Sequence, residues 1–288
     1  MLTTAARLLG AGEGASLPAA AAFNVITLEY AEGVVLGAER AGLPVLLSVS
    51  HNAVRFHGAL APLAAGCLAI AEASDVPVGL HLDHCEDALL VEHAADLGFG
   101  SAMFDASTLP YEENVERTAA VAGLGHRLGI WIEAELGEIG GKAGAHAPGV
   151  RTDPAEAAGF VAATGVDALA VAVGTSHAMT ERTARPDTAL IERIAAAVPV
   201  PLVLHGSSGV ADEGLIAAVG AGIRKVNVGT QLSAAYTSAL VERLGPGPDP
   251  RTALVAAREA IAGEVEHLLH VVSAPASVPS RPQERSTA

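Results

Sequence analysis

Val76-Pro-Val-Gly-Leu-His-Leu-Asp-His-Cys85 is the stretch on which the reading of the chain turns. From Val76 to Leu82 it is a short, largely apolar run, as expected of a strand buried on both faces. The run ends by setting a carboxylate, Asp83, beside an imidazole, His84. Such a pair is poor core material, because burying polar groups without partners costs several kcal/mol. At a strand end it has two readings. Either Asp83 and His84 cap the strand through a local hydrogen bond, or an acid/base stands next to a metal ligand. The rest of the chain decides between them.

Seven more segments resemble this strand: Ala19 to Ile26, Val45 to Ser50, Ser101 to Asp105, Ile130 to Leu136, Asp167 to Val173, Pro201 to Leu204 and Ile223 to Val228. Helical patterns lie between them. Leu28 to Ala41 is stopped by Gly42-Leu43-Pro44, and Glu86 to Leu97 by Gly98. Asp153-Pro154 reads as an N-cap followed by Pro at the first helical position, opening a helix to Thr164. Further helices are predicted over Ala59 to Ala73, Tyr111 to Leu128, Asp187 to Ala197, Asp212 to Ala221 and Gln231 to Leu244. His51 to Gly58 reads as a loop, and Gly137 to Thr152 as a long glycine-rich one. After Gly245-Pro-Gly-Pro a last helix runs from Thr252 to Val272. Eight strand–helix alternations without a Gly-x-Gly-x-x-Gly opening favour a (β/α)8 TIM barrel with an extra C-terminal helix over a doubly wound sheet. The expected organisation is one domain over residues 1–272 and a Ser/Pro-rich, disordered tail over 273–288.

The bulk composition agrees. A chain of 288 residues suits one α/β barrel, which typically needs about 250. Half of it is apolar and only 3% aromatic, so Ala, Val, Leu and Gly do the packing. A formal charge of −15 removes the basic footprint that nucleic acid or an anionic membrane would need. Two cysteines make no disulfide framework. With no long apolar span and no secretory pattern at Met1 to Gly14, the expectation is a cytoplasmic protein with neither nucleic-acid nor membrane partner.

In such a barrel the active site lies at the C-terminal strand ends. Three of the eleven histidines, His84, His177 and His205, fall at three of those ends. Three neutral imidazoles around one divalent metal with an open position make a catalytic zinc arrangement. The alternative is that individual histidines cap strands. Cys85 is a conceivable thiolate ligand, with a small buried thiol as the simpler role. His205-Gly206-Ser207-Ser208-Gly209 and Asn227-Val228-Gly229-Thr230 follow strands seven and eight. Barrels commonly hold phosphate there, on backbone amides and hydroxyls. Asp83 becomes the acid/base beside the metal. Metal, phosphate site and acid/base together describe carbon–carbon cleavage of a phosphorylated ketose, or an enolisation.

With these motifs in view, the chain resembles the class II, zinc-dependent ketose-bisphosphate aldolases, whose members cleave fructose or tagatose 1,6-bisphosphate. The resemblance runs from Ala22-Phe23-Asn24 to near Val272. It is carried by Leu82-Asp-His84, Asp105-Ala-Ser-Thr-Leu-Pro-Tyr-Glu-Glu-Asn114, Glu133-Ala-Glu-Leu-Gly-Glu-Ile-Gly-Gly141, Gly174-Thr-Ser-His177, Leu204-His-Gly-Ser-Ser-Gly209 and Lys225-Val-Asn-Val-Gly-Thr230. Length and the last motif are closer to the tagatose-type branch. The resemblance implies zinc on His84, His177 and His205, with Glu135 as an alternative ligand and Asp83 handling the proton of the C4 hydroxyl. It places Asn227 against the dihydroxyacetone phosphate portion, and Gly206, Ser208 and Thr230 in the phosphate-binding segments. Asn24 and Ser50 match pocket-lining positions. It further implies cleavage through a zinc-stabilised enediolate, a homodimer or homotetramer and, in some members, a monovalent cation.

Three departures stand out. The family's mobile loop usually reads Gly-Gly-x-Glu-Asp, its glutamate moving the C3 proton of the triose. Here Gly140-Gly-Lys-Ala143-Gly144 sets Ala143 in that place, with Glu138 and His146 as candidate replacements. The residue after His177 is Ala178 where the family has glycine; its backbone amide is kept for the phosphate. The tail beyond Val272 lacks the family's Gly-Ser-Ala ending. An aldolase for a modified sugar phosphate, and a catalytically weakened relative that binds metal and sugar phosphate, therefore stay open beside the leading reading.

Overall fold

The computed structural model describes residues 1–9, 17–137, 150–177 and 179–274. In chain order its elements are α1 (Ala5–Leu8), β1 (Ala20–Asn24), α2 (Leu28–Ala41), β2 (Val45–Ser50), α3 (His51–His57), α4 (Ala61–Ala73) and β3 (Val78–Cys85). There follow α5 (Ala88–Asp96), β4 (Ser101–Phe104), α6 (Tyr111–Leu128), β5 (Trp131–Leu136), α7 (Pro154–Thr164), β6 (Ala168–Val171) and α8 (Thr188–Ala197). The chain continues through β7 (Leu202–Leu204), a 3-10 turn at Ser207–Gly209, α9 (Asp212–Ala221), β8 (Ile223–Val228), α10 (Thr230–Arg243) and α11 (Arg251–Ser273). Each strand pairs in parallel with the next, and β8 returns to β1, so the sheet closes into a TIM barrel.

Local chemistry explains the element ends. Asp153 caps α7 by accepting from the backbone amides of Ala155 and Glu156, with Pro154 at the first helical position, as the sequence predicts. Gly42 ends α2 in the left-handed region at φ 64°. Two expectations are corrected. His51 to Gly58, read as a loop, is helix α3: the Ser50 hydroxyl accepts from the Ala53 amide at its start and Gly58, at φ 78°, ends it. The third strand does not stop at Asp83 but runs on to Cys85.

The strands bury both faces. Outward side chains pack under the helices in the main core. A separate small cluster fills the inside of the barrel: Ala22, Leu46, Met103, Trp131, Ala168, Ala170 and Val203. Its N-terminal end is closed by α1, to which the sequence reading gave no element. Leu2 pairs with Val78, the first residue of β3, and Ala5 packs into the interior cluster. Beyond that cluster the interior turns polar, with buried His81, Glu133 and Lys225 and then Asp83, Glu135, Asn227 and His205. The extra C-terminal helix α11 lies against α2, where Gly33 and Gly37 permit close approach. A Cβ on Gly37 would meet the Ala262 carbonyl oxygen at 2.5 Å. No single helix among the described residues is long and apolar enough to cross a membrane.

Candidate active site and metal centre

Strict alternation along β3 would send Asp83 and His84 to opposite faces. The strand avoids this with one extra residue. Leu82 pairs with Ala102 and Cys85 with Phe104, three steps on β3 against two on β4. His84 absorbs the irregularity at φ 48°, the one positive φ outside glycine among the described residues. Holding a non-glycine residue there costs about 1–3 kcal/mol. The result is that Asp83 and His84 both line one cavity of about 290 Å³ at the C-terminal strand ends. Cys85 points into the outer core, where burial pushes its thiol up to about 12. It is a buried thiol and belongs to neither donor group described below.

His177 and His205 are brought to the same cavity by a backbone contact. Gly206 has φ 67°, and a Cβ there would lie 2.6 Å from the Ser176 carbonyl carbon and 2.8 Å from its nitrogen. The Thr175 hydroxyl donates to the His205 carbonyl oxygen at 2.6 Å, tying the two segments together. Gly206→Ala is therefore expected to push the segments apart. The left-handed residue alone costs about 1–2 kcal/mol, and the backbone clash adds to it. Reduced metal affinity together with a lowered Tm, measured on the same preparation, checks this.

The three imidazoles converge. Their ligand nitrogens lie within 4.8 Å of one another, and His205 Nδ1 is 3.1 Å from His84 Nε2. Two nitrogens on a tetrahedral metal, each bonded at roughly 2.0–2.1 Å, stand about 3.3 Å apart. The far nitrogens of His84 and His205 are held by carboxylates. His84 Nδ1 donates to Asp105 Oδ2 at 2.8 Å, and His205 Nε2 to Glu133 Oε1 at 2.9 Å. Carboxylates on the outer nitrogens of metal-ligating histidines are the usual support. Burial, reinforced by the neighbouring His84, holds the His205 pKa well below its ordinary value, so the ring is neutral as a ligand must be. The donor set fits a catalytic zinc ion. Glu135, fully buried on β5, belongs to a second group of donors with His84 and Asp105, also within 4.8 Å of one another.

Asp83 is buried beside this cluster. Asn227 Nδ2 donates to its Oδ1 at 3.1 Å, and Asn24 Nδ2 to its Oδ2 at 3.5 Å. Burial pushes the Asp83 carboxyl up, but the His84, His205, Lys225 and His177 side chains around it favour its charged form, and its pKa lies below the ordinary value. Ser50 and Asn24 line the cavity on the β1–β2 side. Gly206, Ser207 and Ser208 line it after β7, and Asn227, Gly229 and Thr230 after β8. The Ser207 hydroxyl donates to the Asn227 carbonyl oxygen at 2.5 Å, and Ser208 Oγ accepts from the Gln231 amide at 3.1 Å. Ile26 and Ser233 also line the cavity and were not singled out in the sequence. Ala178, Ala143, Glu138, His146 and the tail from residue 275 lie outside the described residues.

Three further buried polar side chains stand on or beside the strands with no role expected from the sequence: Asp105, Glu133 and Lys225. The available signal was a carboxylate or ammonium inside an otherwise apolar strand, since such groups are almost never fully buried without a partner. His81 is a core histidine with no solvent exposure. Its Nδ1 is 2.8 Å from Ser101 Oγ. Burial and the adjacent Lys225 ammonium hold its pKa well below 6.5. The folded protein keeps His81 neutral while the unfolded chain protonates it below about pH 6.5. The unfolded state then binds more protons, so stability falls as pH drops below that value. The loss is at most about 1.4 kcal/mol per pH unit until the folded pKa is reached. Urea midpoints of metal-free protein across this range check the slope, which His81→Gln should flatten.

Comparison with known proteins gives a consistent result. The family model described as fructose-bisphosphate aldolase class-II matches residues 11–275. A fructose-bisphosphate aldolase of Thermus caldophilus is 36% identical, the match covering 83% of this chain and 88% of that protein. The D-tagatose-1,6-bisphosphate aldolase subunit GatY of Klebsiella oxytoca is 35% identical, with 87% and 90% covered. Among solved structures, the YdjI aldolase of Escherichia coli K12 superposes with a TM-score of 0.83 at 31% identity, covering 94% of this chain and 97% of that one.

Proposed function

The chain belongs to the class II fructose-bisphosphate aldolase family, and from that premise we propose that it cleaves fructose or tagatose 1,6-bisphosphate at a zinc site formed by His84, His177 and His205. It is an enzyme of the lyase type that splits a phosphorylated ketose into dihydroxyacetone phosphate and an aldehyde. The observation that supports the site assignment is the convergence of three imidazoles, one ionised carboxylate and a hydroxyl- and glycine-lined cradle on one cavity.

Zinc bound there supplies Lewis-acid chemistry, polarising the ketose carbonyl and stabilising negative charge as the bond breaks. The remaining roles fall to the chain. Asp83 Oδ1 and Oδ2 are oriented by Asn227 and Asn24 and accept the proton of the C4 hydroxyl, whose electrons then form the aldehyde as the C3–C4 bond breaks. Asn227 Oδ1 is buried and has no hydrogen-bond partner among the described residues, so it offers an acceptor to a hydroxyl of the triose portion. Gly206, Ser207, Ser208, Gly229 and Thr230 receive the phosphate with hydroxyls and backbone amides. None of the described residues lining the cavity is Lys or Arg, so the anion is held by the start of α10 and these neutral donors. Glu135 offers the metal a second position with His84. A homodimer or homotetramer in the cytoplasm, without nucleic acid or membrane, completes the proposal.

The test is triose-phosphate release from each bisphosphate, with and without a chelator. Zinc-dependent release from either sugar is expected. Activity indifferent to chelation would sink the zinc site. Bound metal without cleavage of either sugar would replace these substrates with a modified sugar phosphate.

A further inference from the structure

We infer that the buried Glu133–Lys225 pair is a positioning device, which fixes the tautomer and ring orientation of His205 from inside the barrel so that Nδ1 faces the metal. The inference rests on His84, His177 and His205 being the metal ligands.

Glu133 on β5 and Lys225 on β8 meet inside the barrel, both with no solvent exposure. Lys225 Nζ donates to Glu133 Oε2 at 2.6 Å. The other carboxylate oxygen, Oε1, faces His205 Nε2 at 2.9 Å. The same ammonium reaches His81 Nε2 at 3.2 Å. His81 Nδ1 is 2.8 Å from Ser101 Oγ, and that hydroxyl is 3.5 Å from the Leu80 carbonyl oxygen.

The direction of every bond follows from which groups can only donate and which can only accept. An ammonium has donors alone, so His81 Nε2 accepts and His81 Nδ1 carries the proton. Ser101 accepts from that proton and turns its own toward Leu80. An ionised carboxylate has acceptors alone, so Glu133 Oε1 requires the proton of His205 to sit on Nε2. The lone pair of His205 is thereby left on Nδ1, which stands 3.1 Å from His84 Nε2. Asn227 Nδ2 is 3.4 Å from His205 Nε2, but that amide nitrogen is itself a donor and cannot take the place of Glu133.

Stability does not explain the pair. Taking two charges out of water costs about as much as their attraction returns, and apolar residues of the same size are often equally stable there. What an apolar pair cannot do is present an acceptor to His205. Supporting carboxylates of this kind typically affect metal affinity by about 10–100-fold.

The experiment compares wild type with two double variants, Glu133→Leu/Lys225→Met and Glu133→Gln/Lys225→Met. Both remove the buried charges, and both leave His81 Nε2 without its donor, so the difference between them isolates the acceptor. Cobalt(II) is the probe, its affinity read by chelator competition and its ligand field by visible absorption; thermal melts of the metal-free proteins report folding. The Leu/Met protein is expected to fold with a lowered melting temperature, because the buried His205 and His81 nitrogens lose their partners, to bind cobalt about 10–100-fold more weakly and to show an altered spectrum. The Gln/Met protein keeps an amide oxygen for His205 and should recover most of the affinity and the native spectrum. Nitrogen-15 shifts of His205 in metal-free wild type should report a protonated Nε2 and a bare Nδ1. Native affinity and spectrum in the Leu/Met protein, equal weakening in both variants, or the opposite tautomer overturns the inference. Wild type that takes up no cobalt overturns the metal-site reading and the inference with it.

Discussion

Asp83→Asn should lower the rate of ketose cleavage by about 10²–10⁴-fold, the usual worth of a positioned general base, while the metal stays bound. Asparagine fills the same space and keeps one of the two acceptors, so Asn24 or Asn227 has only to turn its amide oxygen toward the new NH2. Alanine would be a cruder test. It would leave the Asn227 and Asn24 amides, now bonded to Asp83, short of an acceptor, at a cost of about 1–3 kcal/mol for a buried group. The effect should fall on kcat rather than KM, because proton removal matters in the transition state and not in substrate binding. A second readout separates this role from general damage. Exchange of the dihydroxyacetone phosphate carbon-bound proton with solvent involves no C4 hydroxyl, so it should persist in Asp83→Asn. Loss of exchange along with cleavage would mean that Asp83 supports the whole site and is not the C4 base.

Stripping the metal should have an effect of the same order or larger. Without it the cavity offers only imidazoles, amides and hydroxyls to the charge that develops as the C3–C4 bond breaks. Lewis-acid stabilisation is worth several kcal/mol, and each 1.36 kcal/mol is tenfold in rate. A fall of about 10²–10⁴-fold on chelation, reversed by added zinc, is therefore expected. Metal binding should also raise Tm. A ligand at 1,000 times its dissociation constant stabilises the folded state by about 4 kcal/mol. Calorimetry with and without zinc checks this, and an unchanged Tm would show that the ion binds weakly or binds elsewhere.

The fold was legible because parallel strands buried on both faces leave short apolar runs, each followed by a helix with its own caps and stops. Gly42 and the Asp153-Pro154 pair marked boundaries that the structure bears out. Helix α3 was missed because its start depends on one hydroxyl, that of Ser50, which read equally well as the end of a strand. The three histidines and Asp83 could be found because they stand at strand ends, where polar side chains need a reason. The way His84 joins them could not be found, since the extra residue in β3 is defined only against the register of β4. Glu133 and Lys225 were hidden for a related reason. They are 92 positions apart, and only closure of the barrel makes the pair. The α1 closure at the other end of the barrel escaped notice because four residues carry too little periodicity to be read as a helix.

The most direct test of the proposed metal centre is the zinc content of purified wild type and of His177→Ala by elemental analysis. His177 is the ligand to remove because it is half-buried on a loop, whereas His205 is fully buried and its loss would strand Glu133. The expected result is one zinc per wild-type chain, and little or none in a His177→Ala protein whose metal-free melting matches that of wild type. Stoichiometric zinc retained in His177→Ala, or none in wild type, would contradict the assignment of His84, His177 and His205 as its ligands.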